Sequence, residues 1–461
     1  MRRSKEIIVI GGGLAGSEAA WQVARAGRPV TLYEMRPLRT TPAHKTDRLA
    51  ELVCSNSLKS NFPDSAPGLL KEELRRIRSL LIQVADRSAV PGGMALTVDR
   101  EQFAGGVTAA IASDPLISVR REEVRAVPRD AVVIVATGPL TSDALSQDIA
   151  GLTGSNHLYF YDAISPIVDA ESLDSSKIFR ASRYGKGSEP GPDGDYLNCP
   201  LTPEEYTGFV DAVLAAEEVE RHEFEDVRYF EACLPIEELA RRGPDTLRFG
   251  PMKPVGLIDP RTGRRPYAAV QLRQEDARAS SYNLVGFQNH LRFGEQKRIL
   301  RMIPGLENAE FLRYGQIHRN TYLNAPALLA PTLALRAHAG LFVAGQLCGT
   351  EGYVEAIATG FLAGMQAARL ARGEELLPPP RETALGSLVH YITRTSPRGY
   401  QPANIAFDLL PPLPEEEQQR LRSKKERRAT QCRRALRALE GWAQARGLFP
   451  VVSCESVVSS P

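Results

Sequence analysis

Ile7-Ile8-Val9-Ile10-Gly11-Gly12-Gly13-Leu14-Ala15-Gly16 is the stretch that decides the fold. Four consecutive aliphatic residues read as a strand buried on both faces. Gly11, Gly13 and Gly16 fit G-x-G-x-x-G, with Gly12, Leu14 and Ala15 in the intervening places. Leu14 to Ala26 reads as a helix closed by Gly27, and Pro29 to Glu34 as the next strand. The opening is therefore a βαβ unit. Gly11 permits a tight turn, Gly13 lets the backbone approach a pyrophosphate, and Gly16 lets the helix pack close to the strand. Phosphates would meet the helix N-terminus, where free N–H groups and the dipole favour negative charge. Glu34 follows Gly16 by eighteen residues, placed to accept a hydrogen bond from a ribose hydroxyl. The pattern predicts a dinucleotide site.

Farther along, Ala131 to Thr137 is an apolar strand ending at Gly138, and Leu341 to Ala344 is a short one before Gly345 and Gln346. These segments resemble the elements of two-segment FAD folds, in which a late strand returns to the first sheet. Gln346 stands where those folds usually place an acid. No second complete fingerprint has strand context, so FAD is favoured over NAD as the tightly bound cofactor, and a nicotinamide reductant would dock without a Rossmann domain of its own. The predicted architecture is α/β: a Rossmann-like FAD-binding domain in two segments, an inserted α+β domain and a basic C-terminal helix. Gly185, Gly187, Pro190, Gly191, Pro192 and Gly194 mark a loop. The expected divisions are 1–185 and 333–446 for the two FAD-binding segments, 186–332 for the insertion and 447–461 for a frayed tail. Helices are expected over Leu69–Ala85, from Asp99 to about Ala112, near Pro203–Val219, over Val354–Arg372, and from Glu415 to Arg446 with 421, 429, 432, 436, 439 and 443 on one face.

Length and composition set the bounds. At 461 residues the chain is long enough for two to three domains, and 43% hydrophobic with 24% charged residues is ordinary for a globular protein. With 57 Lys and Arg against 55 Asp and Glu, histone-like and strongly acidic proteins are excluded, but a local basic patch is not. Six cysteines without C-x-x-C spacing are no disulfide framework, and a reducing cytoplasm is the simplest reading. The His and Cys residues show no zinc spacing, so no metal is expected. No apolar run reaches the ~20 residues of a membrane span. Met1-Arg2-Arg3 before Ile7 mimics a signal peptide, yet the apolar run is four residues long and meets three glycines, which suits a buried strand.

Two cysteine segments carry candidate chemistry. Cys54 lies in Leu52-Val53-Cys54-Ser55-Asn56-Ser57-Leu58-Lys59, a polar run with a lysine five residues on that suits a thiolate better than a core does. Cys233 lies in Tyr229-Phe230-Glu231-Ala232-Cys233-Leu234-Pro235, which composition alone does not separate from a packed cysteine. Together with the fingerprint, these segments resemble the TrmFO family. So do Tyr196-Leu197-Asn198-Cys199-Pro200, Leu247-Arg248-Phe249-Gly250-Pro251-Met252-Lys253-Pro254, Tyr314-Gly315-Gln316-Ile317-His318-Arg319-Asn320 and Glu351-Gly352-Tyr353-Val354-Glu355. The resemblance covers about residues 5 to 440.

The resemblance implies a folate- and FAD-dependent tRNA (uracil-5-)-methyltransferase acting on uridine 54 of the TΨC loop. Methylenetetrahydrofolate supplies the carbon, reduced FAD the reducing equivalents, and NAD(P)H restores the flavin. Carried over by motif, Cys233 is the nucleophile, Cys54 the base near the flavin, and Tyr353 lies against the ring. The chemistry independently needs such groups: carbon 5 of uracil is a poor nucleophile until a thiolate adds at carbon 6, and a base must later remove the carbon 5 proton. His290, His318 and Asn320 are candidates for a folate site, which needs donors and acceptors for a pterin ring.

Between Arg420 and Arg446 lie ten Lys and Arg against two Glu. Arg427, Arg428, Arg433 and Arg434 are candidates for phosphate contact, against the alternative of a solvated helix face. Three competing readings stand beside the leading one: a wobble-uridine tRNA-modifying flavoprotein, a small-molecule FAD oxidoreductase and a non-catalytic RNA-binding flavin module. The cysteine segments speak against the first, and the basic helix against the second.

Overall fold

The computed structural model describes residues 6–41, 43–154, 158–163, 165–185, 194–219 and 234–445. The strand Ile7–Ile10 sits in the middle of a six-stranded sheet and pairs in parallel with Val30–Glu34 on one side and Val132–Val135 on the other, Ile7 standing opposite Val30 and Val132. Ile117–Arg121 extends one side in parallel. On the other side His338–Val343 joins in parallel through Leu341–Val343, and Ala334–Leu335 closes the edge antiparallel to it. The late strand thus returns to the first sheet, as expected from its sequence. The two central strands, Ile7–Ile10 and Val132–Val135, are aliphatic and buried at every position because helices cover both faces. Parallel strands end along one edge of a sheet, and ligands of such folds gather there.

The long helix Tyr353–Ala371 packs across the first helix, Leu14–Arg25. A Cβ at Gly360 would come 2.2 Å from the Ala15 carbonyl oxygen, so the contact is one of backbone against backbone. A second sheet is antiparallel throughout, in the order Phe179–Ala181, Tyr196–Leu201, Ala268–Gln274, Ser281–Leu284, Ile167–Asp169, Phe311–Arg313. It has its own core, built from residues between Val168 and Ala309 and including Phe209, Phe287 and Ile299. The chain leaves the first body along Leu158–Ala163 and returns along Ile317–Tyr322, and these two strands pair antiparallel.

The structure differs from the sequence expectations in three places. The boundary expected at 185/186 falls between two paired strands of the second sheet, Phe179–Ala181 and Tyr196–Leu201. Pro and Gly mark a loop but not which elements it joins. The helix expected over Leu69–Ala85 is two, Ala66–Arg76 and Leu80–Arg87, with Arg78 at φ 61° between them and the Ser79 hydroxyl accepting from Ile82 N–H to start the second. The basic helix is likewise two, Glu415–Arg420 and Lys424–Ala445. Ser423 and Glu426 form the break: Glu426 N–H donates to Ser423 Oγ (3.1 Å), and Ser423 N–H donates to Glu426 Oε2 (3.1 Å). That reciprocal pair is a capping box. Cys432, Leu439 and Ala443 are buried on the expected face, joined by Ala435. Among the described residues no helix is long and apolar enough to cross a membrane.

Candidate active site at the glycine turn

Gly11 takes φ 104°, and a Cβ there would meet the Ala136 carbonyl oxygen at 2.6 Å. A Cβ at Gly16 would lie 1.7 Å from the Gly11 carbonyl oxygen, so the first helix can approach the turn only without a side chain. Gly13 is the N-cap; no side chain caps the helix and nothing lies within 4 Å of where its Cβ would be. The helix N-terminus therefore opens onto a cavity, lined by Gly11 to Ala15, Glu34, Gly138, Gly345, Gln346, Tyr353, Cys54 and Asn320 among others. Twelve residues of helix aim their positive end at that space. These features fit the phosphates of a dinucleotide: a turn that only glycine can make, open room beside Gly13 and an uncapped helix end.

Glu34 is buried at the rim and already holds four donors. Gly12 N–H (3.0 Å) and Arg36 Nη2 (3.1 Å) donate to Oε2, while Arg36 N–H (3.0 Å) and Arg36 Nε (2.9 Å) donate to Oε1. Burial pushes the Glu34 carboxyl up, but the Arg36 hydrogen bonds and charge outweigh it and hold it below the usual carboxylate range. A ribose hydroxyl would have to share or displace one of these donors. Arg36, which the sequence reading missed, also donates to Glu51 Oε2 (2.9 Å).

On the late segment, Gly345 takes φ 73° and its N–H donates to Thr359 Oγ1 (2.9 Å). Gln346 Nε2 donates to Glu351 Oε2 (2.7 Å), so the acid that the sequence seemed to lack reaches the cavity from five residues on. Gly138, at φ 66°, opens a short 3₁₀ turn.

Cys54 is half-buried and lines the same cavity. Its backbone is held on both sides. Cys54 N–H (2.8 Å) and Ser55 N–H (3.1 Å) donate to the Tyr353 hydroxyl oxygen, and Arg100 Nη2 donates to the Cys54 carbonyl (3.1 Å). Burial and the charge of Cys54 push the Tyr353 hydroxyl well above its usual range, so it stays protonated. Lys59 was expected to serve the thiol, but its ammonium is committed to Glu355 Oε1 (3.0 Å), the Glu351 carbonyl (3.3 Å) and Asn404 Oδ1. The cations around Cys54 come from farther off in sequence. Arg273 Nη2 donates to Ser55 Oγ (2.7 Å) and its Nε to Asn56 Oδ1 (3.0 Å).

The other candidates separate. Asn320 is buried at the cavity wall. His290 lies in the second core, 2% exposed, with Nε2 2.5 Å from Glu218 Oε2 and its backbone N–H donating to Glu237 Oε1 (2.9 Å). It does not line this cavity, and two carboxylates hold it. His318 is on the return strand, and its side chain, like all of Cys233, lies outside the described residues. On the basic helix, Arg428 lies 4.9 Å from the centre of the Phe407 ring, and Arg434 donates to the carbonyls of Pro411 and Pro412. Arg427 and Arg433 face solvent.

Residues 6–375 match the family model described as glucose inhibited division protein A. A methylenetetrahydrofolate–tRNA-(uracil-5-)-methyltransferase TrmFO of Solibacter usitatus is 66% identical over 444 residues, covering 96% of this chain and 99% of the relative. Its counterpart in Koribacter versatilis is 59% identical over 445 residues, covering 96% and 99%. Among solved structures, GidA of Aquifex aeolicus superposes with a TM-score of 0.70 at 18% identity, covering 97% of this chain and 74% of that one, a likeness of fold.

Proposed function

The chain belongs to the TrmFO family, within the wider GidA family, and from that premise we propose that it methylates carbon 5 of uridine 54 in the TΨC loop of tRNA. The carbon would come from 5,10-methylenetetrahydrofolate. FAD, when bound, would supply the electrons that turn a methylene into a methyl group, with NAD(P)H restoring it. The observation that carries the reading is the placement of Cys54. A cysteine with its backbone pinned by Tyr353 and Arg100 borders the cavity that begins at the glycine turn.

In this reading the uncapped helix end and Gly11 to Ala15 hold the pyrophosphate, and Glu34 and Glu351 offer carboxylates to hydroxyl groups along the cavity. Cys233 adds to carbon 6 of the uracil and makes carbon 5 nucleophilic. Carbon 5 takes the folate's one-carbon group, with tetrahydrofolate as the leaving group; Cys54 as thiolate then takes the carbon 5 proton, and the electrons of that C–H bond restore the ring double bond and expel Cys233. Asn320 supplies an amide to the folate or the base from the cavity wall. Arg427 and Arg433 bind RNA phosphates, giving affinity without reading sequence.

Purified protein should be yellow and release flavin on denaturation. A tRNA transcript should gain 5-methyluridine when given methylenetetrahydrofolate and NAD(P)H. With 5-fluorouridine in the RNA there is no carbon 5 proton to remove, so a covalent complex should accumulate. Cys233→Ala should lose both trapping and methylation, and Cys54→Ala should lose methylation yet still trap. Trapping lost only in Cys54→Ala would exchange the two roles.

A further inference from the structure

Arg273 is among the most buried cations of the molecule, and no carboxylate touches it among the described residues. The residue is 8% exposed. Its hydrogen-bond acceptors are neutral: Ser55 Oγ, Asn56 Oδ1 and, at 3.4 Å, Asn283 Oδ1. A buried guanidinium without a contacting carboxylate is costly, and most such groups are paired. Two of the three acceptors are the residues that follow Cys54 in the chain.

Those acceptors cross the seam between the bodies. Asn56 is fully buried and donates through Nδ2 to the Val98 carbonyl (3.0 Å) in the first body and the Gln274 carbonyl (2.9 Å) in the second sheet. Arg100, from the helix Arg100–Ser113, holds the Cys54 and Leu52 carbonyls and is paired with Glu275, next to the strand that carries Arg273. The turn Cys54–Asn56 is thus gripped by one arginine from each body.

The charged and titratable groups around the thiol come from four elements: the Tyr353 hydroxyl, Arg100, Arg273 with Glu275, and Arg313 at the end of Phe311–Arg313. Burial pushes all three guanidiniums down. Glu275 and the charge of Cys54 push back, leaving Arg100 raised and Arg273 and Arg313 lowered. The attraction is mutual: a thiolate that favours these cations is favoured by them. Three arginines face one contacting carboxylate, so the excess charge at the turn is positive.

We propose that Arg273 is a positioning residue for Cys54: it fixes the Ser55–Asn56 turn from the second body and, with Arg100, keeps positive charge beside the thiol so that it reacts as the thiolate. The inference rests on the reading of Cys54 as a working thiol and adds the device that makes it one. It also assigns the second sheet a share in the chemistry of the first.

The test is the pH dependence of iodoacetamide alkylation at Cys54 in the full chain, read by peptide mass mapping, with flavin absorbance as the check of folding. In Arg273→Met the alkylation midpoint should move to higher pH, and the rate near neutral pH should fall about ten-fold. Arg273→Lys keeps the charge and should keep the wild-type midpoint. Glu275→Gln removes the opposing charge and should shift the midpoint down. A wild-type midpoint in flavin-loaded Arg273→Met overturns the proposal, as does a loss of melting temperature in both arginine variants without a shift. If Arg273→Met does not retain flavin, an unshifted midpoint in Glu275→Gln overturns it. Alkylation is read without RNA or folate. A shift in a protein that forms no 5-methyluridine therefore upholds the arginine and sinks the methyl-transfer reading, while methylation with no shift does the reverse.

Discussion

Two buried arginines, one lining the cavity and one bonded to the residues that follow Cys54, are held in opposite ways. Arg36, 2% exposed at the glycine turn, forks onto Glu34 and reaches Glu51, so its charge is met by two carboxylates. Arg273, at the seam between the bodies, has only amide and hydroxyl oxygens as hydrogen-bond acceptors among the described residues. The first arrangement builds a rigid rim and leaves no positive field beyond it. The second leaves a field for whatever lies nearby, and Cys54 lies nearby. Two carboxylates repeat the contrast. Glu34, bonded to a cation, is held below the usual range. Glu73, bonded only to the backbone N–H groups of Ala384 (2.6 Å) and Leu385 (3.0 Å), is pushed up to about 7 by burial. Neutral dipoles hold a buried charge in place without cancelling it.

The largest expected effect breaks the Arg36 cluster. Arg36→Met leaves Glu34 and Glu51 facing each other without their cation, and unfolding free energy should fall by about 3–5 kcal/mol with loss of flavin. Denaturant titration measures the first and absorbance the second; a loss under about 1 kcal/mol would show that the rim is not built on charge pairing.

Next comes Glu73, through pH. A carboxyl whose folded pKa is raised stabilises the protein below its unfolded value, and that stability is lost as pH rises through the folded value. The window therefore runs from 4.5 to about 7. Across it the stability of the protein relative to Glu73→Gln should decline by about 3 kcal/mol. A difference independent of pH would mean that the helix N-terminus at Ala384 neutralises the carboxylate after all.

Arg273→Met should cost less than Arg36→Met, about 1–3 kcal/mol, because it strands neutral acceptors rather than charges. A larger cost than that of Arg36→Met reverses the ranking of the two regions. The smallest effect on stability belongs to surface charge. Arg427→Ala with Arg433→Ala should leave stability within about 0.5 kcal/mol and lower the salt slope of tRNA binding by about two units. Arg428→Ala or Arg434→Ala should instead lower stability by about 1 kcal/mol, through the Phe407 contact and the Pro411 and Pro412 carbonyls. An unchanged salt slope moves the phosphate path to the second body.

What could be read in the sequence was local or carried by a motif. The glycine turn, the uncapped helix and Glu34 fall within thirty residues of each other, and their roles follow from backbone geometry. The return of Leu341–Val343 to the first sheet was legible from its resemblance to the late strand of two-segment folds. The pair Ser423 and Glu426, three residues apart, has the spacing of a capping box, yet the apolar period running through it was read as one helix where there are two. Arg273 and Arg100 were not, since nothing in Val270-Gln271-Leu272-Arg273-Gln274-Glu275 says that it meets a turn 217 positions earlier. The surroundings of His290 were hidden for the same reason: its carboxylates, Glu218 and Glu237, are distant in sequence.

Asn56 bears on how such a protein can be rebuilt. One amide nitrogen donates to a carbonyl in each body while its oxygen accepts from Arg273. The flavin half and the second sheet are therefore not interchangeable parts. A chimera that takes its second sheet from a relative must carry an arginine at 273, or the recipient's Asn56 oxygen loses its donor, and an acid at 275, or Arg100 loses its partner. Recombination points that keep residues 56, 100, 273 and 275 from one parent should yield folded hybrids. Those that divide them should fail at the seam although each half is intact.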